Sequence, residues 1–227
     1  MSFELQDVVP WGRSFGEYLR MFALTEADLG RRILGAGDGP ASFNAVASRH
    51  GCRAVSADPL YRFTAGQIAG RIGETAPVVA EQLRRNASDF VWTHFESVEE
   101  LVEARLEAMN EFLGDYPSGR EAGRYVDAAL PELPFRDDSF DLALCSHLLF
   151  LYSEQHDADY HVAALAELAR VAAEVRVFPL LELAAVPSRH LERVTALLRD
   201  SGYDVERVPV EYEFQKGANE MLRVRRR

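Results

Sequence analysis

Cysteine is scarce in this chain: Cys52 and Cys145 are the two among 227 residues. Two thiols build no disulfide framework, and their spacing matches no zinc-binding pattern. An excess of positive charge is also missing. The 25 lysines and arginines stand against 36 aspartates and glutamates, a net charge of −11. That balance argues against general affinity for nucleic acid phosphates or anionic membranes. One basic cluster, Arg223, Arg225, Arg226 and Arg227, lies at the end of the sequence and reads as a solvated tail. No run of about 18 apolar residues occurs, and the opening MSFELQDVVPWGRSF lacks the basic start and apolar stretch of a secretory signal. Repeats and low-complexity segments are absent. The expectation is a cytoplasmic chain folding as one domain over 1–227, with neither metal, membrane nor nucleic acid as a partner.

What is present is an alternation of strand and helix signals. Residues 13–30 read as two helical pieces, the second opened by Thr25 with Asp28 in capping-box spacing. Together with the preceding residues they form an N-terminal helical cap over 1–30. Arg32–Leu34 is a short strand running into ILGAGDGPASF (33–43), where Gly35, Gly37 and Gly39 alternate with other residues. A helix follows Pro40, Gly51 closes it, and Arg53–Ala57 is a second strand ending at Asp58-Pro59. Two helical stretches then intervene, 64–86 and 97–113, separated by the aromatic DFVWTHF (89–95). Strand character returns at 123–126, 139–145 and 175–180, with a helix at 160–173 whose Val162, Leu165, Leu168 and Val171 share one face. After a helix at 190–200, the runs 204–214 and 220–225 are joined by the turn 215–219, which calls for an antiparallel hairpin. The pattern predicts an α/β fold: a Rossmann-like, mostly parallel seven-stranded sheet flanked by helices. Its final strand is antiparallel, and a helical insertion at about 62–120 separates strands two and three.

The glycine turn tests two nucleotide-binding patterns. A dinucleotide fingerprint needs a small residue at the sixth position from Gly35, where Pro40 stands instead. Asp58, about twenty residues on, can accept both hydroxyls of a ribose. The bland readings are a flexible loop and a turn-forming aspartate before proline. Farther along, Leu133-Pro134-Phe135 and Ser139-Phe140-Asp141 lead into a strand and then Ser146-His147.

With these motifs the sequence resembles the class I S-adenosylmethionine-dependent methyltransferases of the small-molecule type, in motif terms from Ile33 to Leu151. The resemblance implies S-adenosyl-L-methionine as cofactor and a small-molecule methyl acceptor. It brings Gly35, Ala36 and Gly37 to the methionine and ribose portions, Asp58 to the ribose diol, and Pro59 and Leu60 to the adenine. Ser146 and His147 would line the cleft between cofactor and acceptor. Two departures stand out. The family often has an acid where Ile33 stands, and an acid touching the adenine amine where Ala129 and Leu130 fall. Asp127 could replace the second if its strand bulges, and Asp38 could replace the first or be a polar turn residue. Arg13 could clamp the methionine carboxylate, since guanidinium pairs with carboxylates bidentately, or be an exposed helix arginine.

Methyl transfer from a sulfonium depends on placing the nucleophile and excluding water, with a base needed only for a protonated acceptor. His147 is the leading candidate base, against a satisfied structural histidine; Tyr18, Tyr152 and Glu154 are weaker ones. His156, Asp157, Asp159 and His161 reproduce no metal-ligand spacing and read as a loop entering a helix. Trp92, His94, Phe95 and Tyr116 read mainly as a small core of the insertion, and the insertion as a lid. Ile33 and Ala129 keep a second class open, a non-catalytic cofactor-binding or regulatory protein on the same fold. A nicotinamide oxidoreductase ranks third, disfavoured by Pro40 and the closing hairpin.

Overall fold

The computed structural model describes residues 10–227; residues 1–9, with the leader reading and the first part of the cap, lie outside it. Helices start where side chains satisfy the orphaned N–H groups of a first turn. Ser14 with Glu17 boxes the start of α1 (Phe15–Met21), and Thr25 with Asp28 that of α2 (Glu26–Leu29). α3 (Phe43–Arg49) follows the glycine turn. Thr64 with Gln67 opens α4 (Ala65–Arg85), Ser97 opens α5 (Val98–Glu121), and Asp157 opens α6 (Ala158–Val171). α7 (Leu191–Asp200) completes the set.

Strands β1 (Arg32–Ala36), β2 (Arg53–Ala57), β3 (Tyr125–Val126), β4 (Phe140–Ser146), β5 (Ala172–Phe178), β6 (Tyr203–Pro209) and β7 (Glu220–Arg226) form one sheet ordered β3-β2-β1-β4-β5-β7-β6. β1 to β5 pair in parallel, and β7 runs antiparallel to both β5 and β6. Side-chain alternation assigns each face of the sheet a core. In β4, Leu142 and Leu144 pack with Ile33, Tyr18, Phe22 and Phe43 under α1 and α3. Ala143 and Cys145 pack with Leu34, Leu165 and Leu168 under α6. A parallel sheet covered on both faces follows from these apolar central strands. Truncating a fully buried leucine such as Leu165 would cost about 2–5 kcal/mol.

Two expectations need correction. The second insertion helix continues past Leu113 to Glu121, carrying Pro117 inside it. Tertiary bonds hold that extension: the Tyr116 hydroxyl donates to the Tyr61 and Phe63 carbonyls at 2.8 and 2.9 Å, and Asp115 pairs with Arg124 at 2.7 Å. The expected turn forms, the Ala218 N–H donating to the Gln215 carbonyl at 2.9 Å, but β6 stops at Pro209, not Phe214, so residues 210–219 form a long loop around it. In that loop Tyr212 and Phe214 turn inward, Tyr212 to Glu17 at 2.7 Å and Phe214 onto the Phe90 ring at 4.7 Å. Among the described residues no helix is long and apolar enough to cross a membrane.

Candidate functional site

Strand order reverses between β1 and β4, the position where open parallel sheets bind ligands beyond their carboxyl ends. A cavity of about 660 Å³ opens there. Its floor is the glycine turn. Gly37 and Gly39 have φ of +71° and +52°, conformations that L side chains rarely adopt. A Cβ on Gly37 would also stand 2.6 Å from the Leu148 side chain. The Gly37 N–H donates to the Ala57 carbonyl at 2.9 Å, and the Tyr61 hydroxyl donates to the Gly39 carbonyl at 2.8 Å. Both bonds fix the turn against β2 and the segment after it.

Two carboxylates brace this floor. Asp58 accepts the Gly39 N–H at 2.8 Å and the Leu60 N–H at 2.7 Å, and burial pushes its carboxyl up. Asp38 folds back over Gly35, where a Cβ would lie 1.8 Å from its carboxylate oxygen. It accepts from the Tyr18 hydroxyl at 2.8 Å and the Ser56 hydroxyl at 2.6 Å, and burial raises it to about 6.

The wall toward β4 carries Ser146 and His147. His147 has φ +54° and donates its N–H to the Phe178 carbonyl at 2.7 Å. Its Nδ1 is 2.8 Å from Ser146 Oγ. Ionised Asp38 can only accept, so the Tyr18 hydroxyl donates to it. Burial, then the charges of Arg13 and Arg105, hold the imidazole well below its usual range, so it is neutral at pH 7.

The opposite wall is cationic. Residues 10–13 lie against the glycine turn so tightly that a Cβ on Gly12 would be 2.1 Å from the Pro40 carbonyl oxygen. This strap presents Trp11 and Arg13 to the cavity. Arg13 donates to the Trp11 carbonyl at 2.6 Å, and burial followed by the charge of Arg105 lowers it to about 10. Arg105 reaches the cavity from α5 and pairs with Glu17 of α1, both 1% exposed.

All the expected site residues line the cavity except Gly35: Arg13, Ala36, Gly37, Asp38, Asp58, Pro59, Leu60, Ala129, Leu130, Ser146 and His147. Gly35 makes room for the Asp38 carboxylate instead of facing the ligand space. Asp38 is committed to Tyr18 and Ser56. Ile33 is fully buried among the α1 and α3 side chains. Asp127 points outward to Arg62 at 3.7 Å and is not part of the lining, so it does not replace the missing acid. Tyr18 and Tyr152 line the cavity, whereas Glu154 sits outside it beside Arg189. His156 lines the cavity and stacks on Tyr160 at 4.0 Å, Asp157 caps α6, and His161 Nε2 accepts the Phe150 N–H at 3.0 Å. Trp92 and Phe95 pack edge-on against Phe214, and His94 stacks on Tyr212.

Sequence reasoning missed Glu17, Arg105, Tyr212 and Phe214. Arg105 did carry a signal: it interrupts the apolar stripe Leu101, Ala108, Met109 and Phe112. A cation on an apolar helix face needs a buried partner.

Fold and cleft together are those of a Rossmann-like protein that holds a nucleotide cofactor at its sheet reversal. Comparison with known proteins narrows this class. Residues 100–174 match the model of a methyltransferase domain family. Over 223 residues the chain is 32% identical to the uncharacterized protein MJ0045 of Methanocaldococcus jannaschii, with 98% of each chain covered. Among solved structures, the mitomycin 7-O-methyltransferase MmcR superposes with a TM-score of 0.48 at 18% identity, covering 94% of this chain and 54% of that one. Magnesium protoporphyrin IX methyltransferase (ChlM) from Synechocystis PCC 6803 with bound SAM gives 0.46 at 12%, covering 94% and 91%. The chain thus spans about half the length of MmcR. The chain shares its family with MJ0045, and its residues 100–174 carry the methyltransferase-domain pattern.

Proposed function

We propose that the chain transfers a methyl group from S-adenosylmethionine to a small-molecule acceptor bound in the same cavity. The observation that carries this reading is Asp58, a half-buried carboxylate at the carboxyl end of β2. One oxygen takes the Gly39 N–H of the glycine turn and the other the Leu60 N–H just after β2. Each oxygen keeps acceptor capacity for one ribose hydroxyl. Gly37, without a Cβ, lets the backbone approach the cofactor, and Ala36 borders it. Pro59 and Leu60 flank the adenine on one side, Ala129 and Leu130 on the other. Arg13 pairs with the methionine carboxylate.

When bound, S-adenosylmethionine supplies an electrophilic methyl group on a positively charged sulfur. The residues of this chain then act mainly by placement and by excluding water. The insertion serves as a lid: Val79, Leu83 and Phe90 close the cavity with apolar surface. His147, neutral and held beside Ser146, accepts the acceptor's proton at its unprotonated ring nitrogen where the acceptor carries one.

Calorimetry with S-adenosylmethionine and S-adenosylhomocysteine tests this. Binding of both is expected at micromolar concentrations, and absence of either at high micromolar concentration defeats the proposal. Ile33, buried in the core, and Ala129, without a carboxylate, favour a second reading as a non-catalytic cofactor-binding protein. Retained cofactor binding with no methyl transfer across a broad acceptor panel would support that one.

A further inference from the structure

The cavity wall contributed by the strap and α5 carries more positive charge than its own partners cancel. The charge of Arg105 is close enough to disfavour that of Arg13, and Glu17 is the carboxylate paired with Arg105. The Tyr212 hydroxyl donates to Glu17 as well, at 2.7 Å, using another of its acceptor positions. The Nε of Arg13 and the Nε of Arg105 are both buried with no hydrogen-bond partner among the described residues. A buried charge without compensation is costly, so such a surplus is retained where a ligand supplies the missing anion.

The cofactor pairs a carboxylate with Arg13 but leaves the net charge of the wall uncancelled. Its methionine portion brings an ammonium together with its carboxylate, and its sulfonium adds one further positive charge. With the cofactor in place the wall still lacks an anion. The cavity that holds the two arginines also has an aromatic and aliphatic lining: Phe90, Phe178, Leu183, Tyr212 and Phe214. Resting on the methyltransferase reading, we propose that the methyl acceptor is a largely apolar, ring-bearing molecule with a carboxylate group, recognised by Arg105 with Arg13 beside it. A planar guanidinium matches a carboxylate edge to edge. One surplus positive charge on this wall matches a monoanion. Arg105 is thereby a specificity residue, delivered by the insertion and oriented by Glu17. His147 lies across the same cavity.

The test uses the full chain saturated with S-adenosylhomocysteine and reads binding by calorimetry. The probes are biphenyl-4-carboxylate, its uncharged carboxamide and biphenyl-4-yl phosphate. The carboxylate is expected to bind at least about tenfold more tightly than the carboxamide, the scale of one charge-assisted contact. It should also bind more tightly than the phosphate dianion. Arg105→Gln, with its fold checked by circular dichroism and its S-adenosylhomocysteine affinity unchanged, should reduce the carboxylate preference to about twofold or less. Arg105→Lys should retain part of it. Equal affinities for carboxylate and carboxamide, no carboxylate binding, or tighter binding of the phosphate overturns the proposal. Full preference in a folded Arg105→Gln protein does so too. If neither variant folds, the wild-type comparison of carboxylate with carboxamide still decides. Loss of the methyltransferase reading shows separately, as failure of S-adenosylhomocysteine itself to bind.

Discussion

Glu17→Gln keeps the shape of a side chain at the centre of the molecule and removes its charge. Glu17 receives the Ser14 N–H at 2.9 Å, the Tyr212 hydroxyl at 2.7 Å and the Arg105 guanidinium, so it ties α1, α5 and the 210–219 loop together. Burial alone would push its carboxyl up. Arg105, aided by Ser14 and Arg13, outweighs burial and holds it at about 2 instead of 4.5. That difference corresponds to about 3 kcal/mol of native-state stability. An independent estimate agrees, since stripping one partner from a buried ion pair costs roughly 3–5 kcal/mol. At this chain length the variant should melt on the order of 6–12 °C lower. The folded pKa lies below the unfolded one, so the contribution is complete above about pH 5 and disappears as pH falls from about 4.5 toward 2. Urea unfolding of both proteins at pH 7 and at pH 3 provides the assay. A gap below about 1 kcal/mol at pH 7, or an equal gap at both pH values, would refute the reasoning.

Asp58→Asn should weaken S-adenosylhomocysteine binding by about thirtyfold or more, the scale of losing one charged acceptor to the ribose; unchanged calorimetric affinity removes Asp58 from the site. Gly37→Ala, strained at φ +71° and facing Leu148, should lose about 1–2 kcal/mol of stability together with cofactor affinity, and an unaltered urea midpoint contradicts this. Asp38 titrates the other way from Glu17. Its folded pKa of about 6 exceeds the ordinary 3.8, so the native state holds a proton that the unfolded chain has released. Stability therefore falls as pH rises between about 4 and 6, and Asp38→Asn should gain on the wild type across that window. A stability difference that stays flat from pH 4 to 7 sinks this assignment. Gly12→Ala, with Pro40 backbone in the way, should shift the strap and loosen cofactor binding while leaving the sheet's circular dichroism intact.

The cavity collects segments far apart in the chain. The strap at 10–13, α5 at 98–121 and the loop at 210–219 meet over the carboxyl ends of β1 and β4, joined through Glu17. The glycine turn and Asp58 belong to one local strand-helix-strand unit, so that half of the site is built by neighbours in sequence. The half walled by the strap, α5 and the 210–219 loop is assembled from remote pieces, and only the fold brings them together.

That division explains what could be read in advance. β2 was legible to the residue, and the parallel sheet with an antiparallel closing strand was legible as a pattern, because strand periodicity, glycine punctuation and capping boxes are local signals. The glycine turn at 35–39 and an aspartate at the end of β2 were equally visible, since glycine punctuation and strand ends are local signals. The end of α5, the long loop inside the last hairpin and the Arg105–Glu17 pair were not. Glu17 satisfied the local rule for a helix cap, and nothing near it in sequence announced a cation 88 positions away. By itself the sequence determined the sheet, its glycine turn and the carboxylate facing it, because backbone conformation and alternation act over a few residues. Only the tertiary structure decided where Asp38 turns, which way Asp127 faces and which charges share one wall. Burial and Coulomb interaction depend on distance in space, and a linear spacing does not contain it.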